Sequence, residues 1–227
     1  MTKAGLHKWL PALISALVLG VFAVIGSALV GLSYEGTAER IAQNERDALL
    51  RQMATILPPE QYDNDLLGDT TEILVPAELG HKPTTVYRAR KNGQPVAAVL
   101  SPVITPGYAG DIVLIVGVYA DGSVAGVRVV THKETPGLGD KIEAKRDPWI
   151  LGFAGKQIGD PPLPGWGVKR DGGDFDQFTG ATITPRTVVA AVRRTLLYVT
   201  NHREEIFAPL ETTPAAETPV EQAQQHG

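Results

Sequence analysis

Between Trp9 and Tyr34 the chain carries no charged side chain, and this stretch limits the possible folds more than any other. It is longer than the about 20 helical residues needed to cross the roughly 30 Å hydrocarbon core of a bilayer. Trp9 and Tyr34 bracket it as an aromatic belt would, and Pro11 falls in the first turn, where it costs little. Lys3, Lys8 and the amino terminus precede the run, with no acid among them. Glu35, Glu39, Arg40, Glu45, Arg46 and Asp47 follow it. The excess of positive charge on the leading side puts residues 1–8 in the cytoplasm and the remainder of the chain outside. The alternative is a cleaved signal peptide, with Gly26-Ser27-Ala28 as the peptidase site. A signal h-region has only about 7–15 apolar residues, however, and here the apolar stretch continues past that site. The reading is an uncleaved transmembrane helix over residues 9–34. Gly20, Gly26, Ser27 and Gly31 would let another helix approach closely, or are the ordinary small residues of a span.

Composition removes several function classes. The net charge of −4, with 20% charged residues, offers no basic surface for nucleic acid. Cysteine is absent, which excludes disulfides, thiolate zinc sites, thiolate-held iron–sulfur clusters and a haem attached through Cys-x-x-Cys-His. His7, His81, His132, His202 and His226 have no paired spacing, so no metal site is expected. Any redox group in such a chain must be organic, or a metal held by His and carboxylates.

Beyond the apolar run, Ala38, Ile41, Ala42, Leu49, Met53, Ile56 and Leu57 recur at intervals of three and four, which predicts an amphipathic helix over 35–57, continuing out of the membrane and stopped by Pro58-Pro59. Residues 60–82 are acidic and mixed and read as a loop or short elements at the domain's edge, so that 35–84 forms a helix-and-linker region. Alternation then predicts a hairpin of Thr85–Arg90 and Gln94–Leu100 about Asn92-Gly93. Asp111–Tyr119 is β-branched enough for a central strand, and Asp121-Gly122 turns it into a second hairpin with Val124–Val130. After a Gly/Pro-rich stretch, Val188, Val189, Val192, Leu196 and Val199 form the stripe of a helix running from Pro185 to about Phe207. The polar residues 208–227 are expected to be disordered. The expected fold class is α+β: antiparallel strands with packed helices over 85–207, outside the membrane, behind a single N-terminal transmembrane helix.

Residues 176–182 read Asp-Gln-Phe-Thr-Gly-Ala-Thr, directly before that last helix. Thr184 precedes Pro185 and is the natural N-cap, with Pro185 at N1. Thr182 then lies just ahead of the first turn, where unpaired N–H groups and the helix dipole favour a phosphate. Gly180 and Ala181 remove side-chain bulk from the approach. A threonine hydroxyl needs a base to act as a nucleophile, and nothing adjacent supplies one, which points to modification by a separate enzyme. On residue chemistry alone, Thr179, Thr182 and Thr184 are equally well read as capping residues. A second motif, His132-Lys133-Glu134-Thr135-Pro136-Gly137-Leu138-Gly139, makes a tight loop whose amides can face a planar ligand, or simply a turn leaving a strand.

Together the motifs carry a resemblance. The Asp-x-x-Thr-Gly-Ala-Thr pattern resembles the covalent FMN site of the G subunits of Rnf-type electron transport complexes, and of the related C subunit of sodium-pumping NADH:quinone oxidoreductase. The Glu-Thr-Pro-Gly-Leu-Gly loop resembles one in the same FMN-binding domains, and Gly107-Tyr108-Ala109-Gly110 matches them in outline, its glycines read as structural. The resemblance spans roughly residues 5–205, and the length and short insert before the strands suit the Rnf protein better.

The resemblance implies that Thr182 carries FMN through a phosphoester made by a periplasmic flavin transferase, with Asp176 serving recognition by that enzyme and Thr179, Gly180 and Ala181 completing its turn. It further implies that Leu138 touches the isoalloxazine ring, that Glu134 or Thr135 hydrogen-bonds its edge, and that Gly137 and Gly139 shape the loop around it. Trp149 or Trp166 stacks on the ring or packs in the core. Lys141 or Lys169 stabilises negative charge near the reduced ring or is solvated. The implied protein is a bacterial inner-membrane flavoprotein, N-terminus cytoplasmic and main domain periplasmic. It would relay electrons among the other membrane subunits of a redox-driven ion translocase and turn over no substrate of its own. The alternatives are the C subunit of the quinone reductase and a non-redox anchor and assembly module.

Overall fold

The computed structural model describes residues 3–74 and 77–209, without the side chains of residues 3–12, 30–39, 42 and 45. The chain divides into two compact units, Met1–Arg51 and Gln52–Gly227. The expected tail over 208–227 lies outside the described residues from 210 onward.

The first unit consists of helix α1, Lys3–Ala54, which continues without a break across the boundary expected at residue 35 and into the second unit. Pro11 lies inside it rather than in its first turn, no further proline interrupts it, and Pro58 sets its end: the last turn closes with the Ile56 and Leu57 amides donating to the Met53 carbonyl at 2.9 and 2.8 Å. Leu13, Leu17, Leu19, Phe22 and Val24 are each more than 60% exposed, and at helical spacing they point to every side of the rod. Among the described residues no helix is long and apolar enough to cross a membrane. Of the span expected over 9–34, the side chains of residues 9–12 and 30–34 lie outside the described ones.

In the second unit a five-stranded antiparallel meander runs β1 (Thr70–Ile73), β2 (Thr84–Lys91), β3 (Gln94–Pro106), β4 (Asp111–Tyr119) and β5 (Val124–Thr131), each strand beside its sequence neighbours. Asn92-Gly93 turns the β2–β3 hairpin with φ of 51° and 74°, the left-handed pair that a two-residue hairpin turn requires. The central strand alternates as its sequence promises. Ile112, Leu114, Val116 and Val118 join the main core, facing Val188, Val189, Val192, Leu196 and Val199 of helix α2 (Ile183–Asn201). On the opposite face Ile56 lies against two glycines: a Cβ at Gly117 would sit 2.5 Å from its Cγ2, and one at Gly126 3.2 Å away. The chain leaving α1 therefore closes the second face of the sheet.

Of the two readings of residues 60–82, the loop gives way to short elements at the domain's edge: they supply the edge strand β1 and the fully buried Leu66 and Leu79. Their acidity misleads because Asp69, 2% exposed, is neutralised inside the fold by Arg88 and Arg90, whose Nε atoms each donate to it at 2.6 Å. Removing that carboxylate would leave two buried guanidinium groups facing each other, at a cost of about 3–5 kcal/mol. The last helix is also shorter than expected. It ends at Asn201, and a separate turn, α3 (Arg203–Ile206), follows His202. Between β5 and α2 the chain makes four short 3-10 turns, held by the rings of Trp149, Phe153, Trp166, Phe175 and Phe178 in contact with one another.

Candidate functional site

Glu134 organises one end of the domain. It is 5% exposed, and its carboxylate joins three segments that are distant in sequence. Oε1 accepts the Ala109 amide at 3.0 Å, in the β3–β4 loop. Oε2 accepts the hydroxyl of Thr184, in the first turn of α2. Its own amide donates to His132 Nδ1 at 3.0 Å, and His132 Nε2 lies 2.9 Å from Glu143 Oε1. An amide can only donate, so Nδ1 accepts and the imidazole proton sits on Nε2, directed at Glu143. The hydrogen bond from His132, with a smaller contribution from Lys145, holds the Glu143 carboxyl below its usual range.

The loop 134–139 closes on itself through the Leu138 and Gly139 amides, both 3.1 Å from the Thr135 carbonyl. Gly137 adopts φ 79°. At Gly139 an added Cβ would lie 2.8 Å from Glu134 Oε2, 2.9 Å from Glu134 Cβ and 3.0 Å from Thr184 Oγ1, so the loop backbone passes tightly over the carboxylate. The β3–β4 loop closes likewise, Gly107 N–H donating to Gly110 O at 2.7 Å.

These segments enclose a cleft of about 270 Å³ lined by Tyr108, Glu134, Thr135, Leu138, Gly139 and residues 180–184. Thr182 is half-buried at its wall, in the N-cap position of α2, and its hydroxyl makes no capping hydrogen bond. The expectation that Thr184 caps and Pro185 is N1 is corrected: the helix starts at Ile183, Thr184 is 1% exposed, and its hydroxyl turns inward to Glu134. Pro185 is tolerated in the first turn because the first four N–H groups of a helix have no intrahelical acceptor. Leu138 lies against Gly180, where an added Cβ would be 3.1 Å from Leu138 Cδ2. Tyr108, Leu138 and Ile183 leave 71%, 39% and 41% of their surfaces exposed, giving the cleft an apolar rim.

The two ends of the Asp176–Thr182 motif part company. Asp176 and Thr179 line a separate, wider cavity of about 580 Å³, together with Lys141, Trp149, Phe175 and Phe178. Asp176 pairs with Lys169 at 2.6 Å, both side chains more than half exposed. Trp149 is half-buried and donates its indole N–H to the Asp176 carbonyl at 2.8 Å, whereas Trp166 is buried at 2% and belongs to the core. Of the ten residues singled out in the sequence, Glu134, Thr135, Leu138, Gly139, Gly180, Ala181 and Thr182 meet in the smaller cleft, and Gly137 turns the loop beside it. The sequence reading quoted Tyr108 only within the Gly107–Gly110 match and gave it no role. Its signal was an aromatic side chain between turn residues, where no core exists to receive it.

The cleft fits a phosphate-tethered planar group. An uncommitted hydroxyl faces it, the residues before that hydroxyl are small, and the rim is apolar. Residues 107–197 match the FMN-binding domain family, and residues 2–56 match the family described as RnfG N-terminal region. Curated relatives extend the likeness over most of the chain. The G subunit of the ion-translocating oxidoreductase complex of Pseudomonas aeruginosa (strain UCBPP-PA14) is 50% identical over 198 residues, 87% of this chain and 92% of that one. The proteins of the same name from Pseudoalteromonas atlantica and Vibrio cholerae (strain O395) are 46% and 45% identical, covering 86% and 85% of this chain and 91% and 92% of their own. Among solved structures, the C subunit of the Na(+)-translocating NADH-quinone reductase of Parabacteroides distasonis is similar at TM-score 0.41 and 23% identity, over 63% of this chain and 71% of that one. The chain belongs to the family of G subunits of ion-translocating oxidoreductase complexes.

Proposed function

We propose that this chain is the membrane-anchored flavoprotein of an Rnf-type ion-translocating oxidoreductase complex, carrying FMN on Thr182 through a phosphoester. The observation that carries the reading is Thr182 itself: a half-buried hydroxyl, not used to cap its own helix, at the N-terminus of α2 in the cleft beside Glu134. The unpaired amides of the first helical turn favour a phosphate there. Gly180 and Ala181 leave room for a second protein, the flavin transferase, to reach the hydroxyl. Leu138, Tyr108 and Ile183 provide apolar surface for the ring. Glu134 does not reach outward to it, since both its oxygens are engaged within the protein. Thr135, exposed on the same loop, is the better placed to meet the ring's edge.

The flavin, when bound, supplies reversible electron transfer. The chain's own part is to fix the ring's position and shield one face. The charge-free stretch over residues 9–34 of the sequence is the anchor in this reading, with the FMN domain on the periplasmic side of the inner membrane. Its partners are the other membrane subunits of the complex, which deliver and remove electrons.

Intact-mass analysis of the protein matured with a flavin transferase tests the proposal. One FMN less the elements of water is expected, on the peptide containing Thr182, and it is expected to vanish in Thr182→Ala. A wild-type mass equal to that of the bare polypeptide would leave the anchor-and-assembly reading in its place.

A further inference from the structure

We propose that Glu134 is a positioning residue that decides which of two threonines receives the flavin, by holding Thr184 shut while Thr182 stays open. The inference rests on the reading of Thr182 given above. Thr182, which ends the motif, and Thr184, in the first turn of α2, present two hydroxyls two residues apart, and side-chain chemistry alone does not distinguish them. The fold does. Thr184 is 1% exposed and donates its hydroxyl proton to Glu134 Oε2, while Thr182 stands half-buried in the cleft wall with no capping bond.

Esterification forms a bond between a threonine Oγ and the phosphorus of a flavin phosphoanhydride, such as a flavin dinucleotide. The anhydride P–O bond breaks, its electron pair leaves with the nucleotide phosphate, and the hydroxyl proton passes to a base supplied by the transferase. A carboxylate accepting a hydroxyl proton is the arrangement of a general base, so Thr184 has the more activated oxygen of the two. Access and charge exclude it. Thr184 borders the same cleft but is 1% exposed, and the Gly139 backbone passes so close that a Cβ there would lie 3.0 Å from Thr184 Oγ1, which crowds the approach of a phosphorus atom with its leaving group in line. The buried Glu134 carboxylate also repels an approaching phosphate in a poorly screened site. Since that carboxylate ties the β3–β4 loop, the 134–139 loop and α2 together, the lock opens when it is removed.

The test is peptide mapping of the flavin on the full chain co-produced with a flavin transferase, in wild type, Thr182→Ala, Glu134→Ala and the double variant. Wild type is expected to carry flavin on Thr182 alone. Thr182→Ala is expected to carry none on Thr184, and the double variant to gain flavin there. Glu134→Ala is expected to divide its flavin between the two positions. A merely structural glutamate would lower the yield without changing the residue modified. Flavin on Thr184 in Thr182→Ala, with Glu134 intact, overturns this inference alone, and that variant leaves the clamp untouched, so the result stands even if Glu134→Ala does not fold. A folded double variant with Thr184 bare also overturns it. Absence of flavin from wild type overturns the proposed function and this inference together.

Discussion

The two cavities at this end of the domain are built on opposite principles. The smaller, around Thr182, is closed by buried polar contacts: one carboxylate 5% exposed, a serially bonded histidine, and loop backbone packed where no Cβ fits. The larger, around Asp176, is open and lined by exposed charges, its Asp176–Lys169 pair standing in solvent. A buried hydrogen-bonded network is costly to disturb because each lost partner strands another group away from water, whereas an exposed pair trades its partner for solvent. Size is therefore a poor guide to which cavity is preorganised. The small one holds a geometry, and the large one offers a surface.

Substitutions can break that contrast. Glu134→Ala is expected to cost the most, about 1–3 kcal/mol, because the buried Thr184 hydroxyl is left without an acceptor. Urea unfolding of the folded protein measures it. Gly139→Ala comes next, at about 1–3 kcal/mol through overpacking against Glu134, and part of this is relieved if Glu134 is shortened to Asp, a coupling that a double-mutant cycle reads directly. In the larger cavity Trp149→Phe is expected to lose about 1 kcal/mol with its bond to the Asp176 carbonyl. Asp176→Asn is expected to shift stability by less than about 0.5 kcal/mol, because its partner Lys169 is solvated. Should Asp176→Asn prove costlier than Glu134→Ala, the contrast is reversed.

The smallest effect is pH-dependent. Glu143 has its carboxyl depressed in the folded state, first by the hydrogen bond from His132. Its contribution is therefore complete above the ordinary glutamate range and lost as pH falls through the depressed value. Thermal melts of wild type and Glu143→Gln are expected to differ near neutrality and to converge in acid.

The readable parts of the sequence were those in which a local signal and the tertiary environment agree. β4 was legible because its apolar side chains serve two covered faces, and Asn92-Gly93 because a two-residue turn demands left-handed backbone. The loop 132–139 and the Thr-Gly-Ala-Thr turn were legible as motifs. Misread were the places where a partner from elsewhere in the chain overrides local preference. Asp69 marks a buried strand edge because Arg88 and Arg90 neutralise it, and Thr184 is drawn from its capping role by a glutamate fifty residues away. Pro58-Pro59 stopped a helix as expected, and the helix of 35–57, read as continuing out of the apolar run, is the second half of an unbroken α1.

Side-chain chemistry and period alone settled the inventory: a charge-free apolar stretch, alternating strands, no thiol chemistry, and two hydroxyls ahead of an amphipathic helix. None of these needs knowledge of what lies opposite. Tertiary contacts were required to decide which hydroxyl faces a cleft and which faces a carboxylate, and to open the acid and threonine ends of one heptapeptide into different cavities. Those outcomes depend on segments remote in sequence, where one buried charge with its donors outweighs the local preference of any single turn.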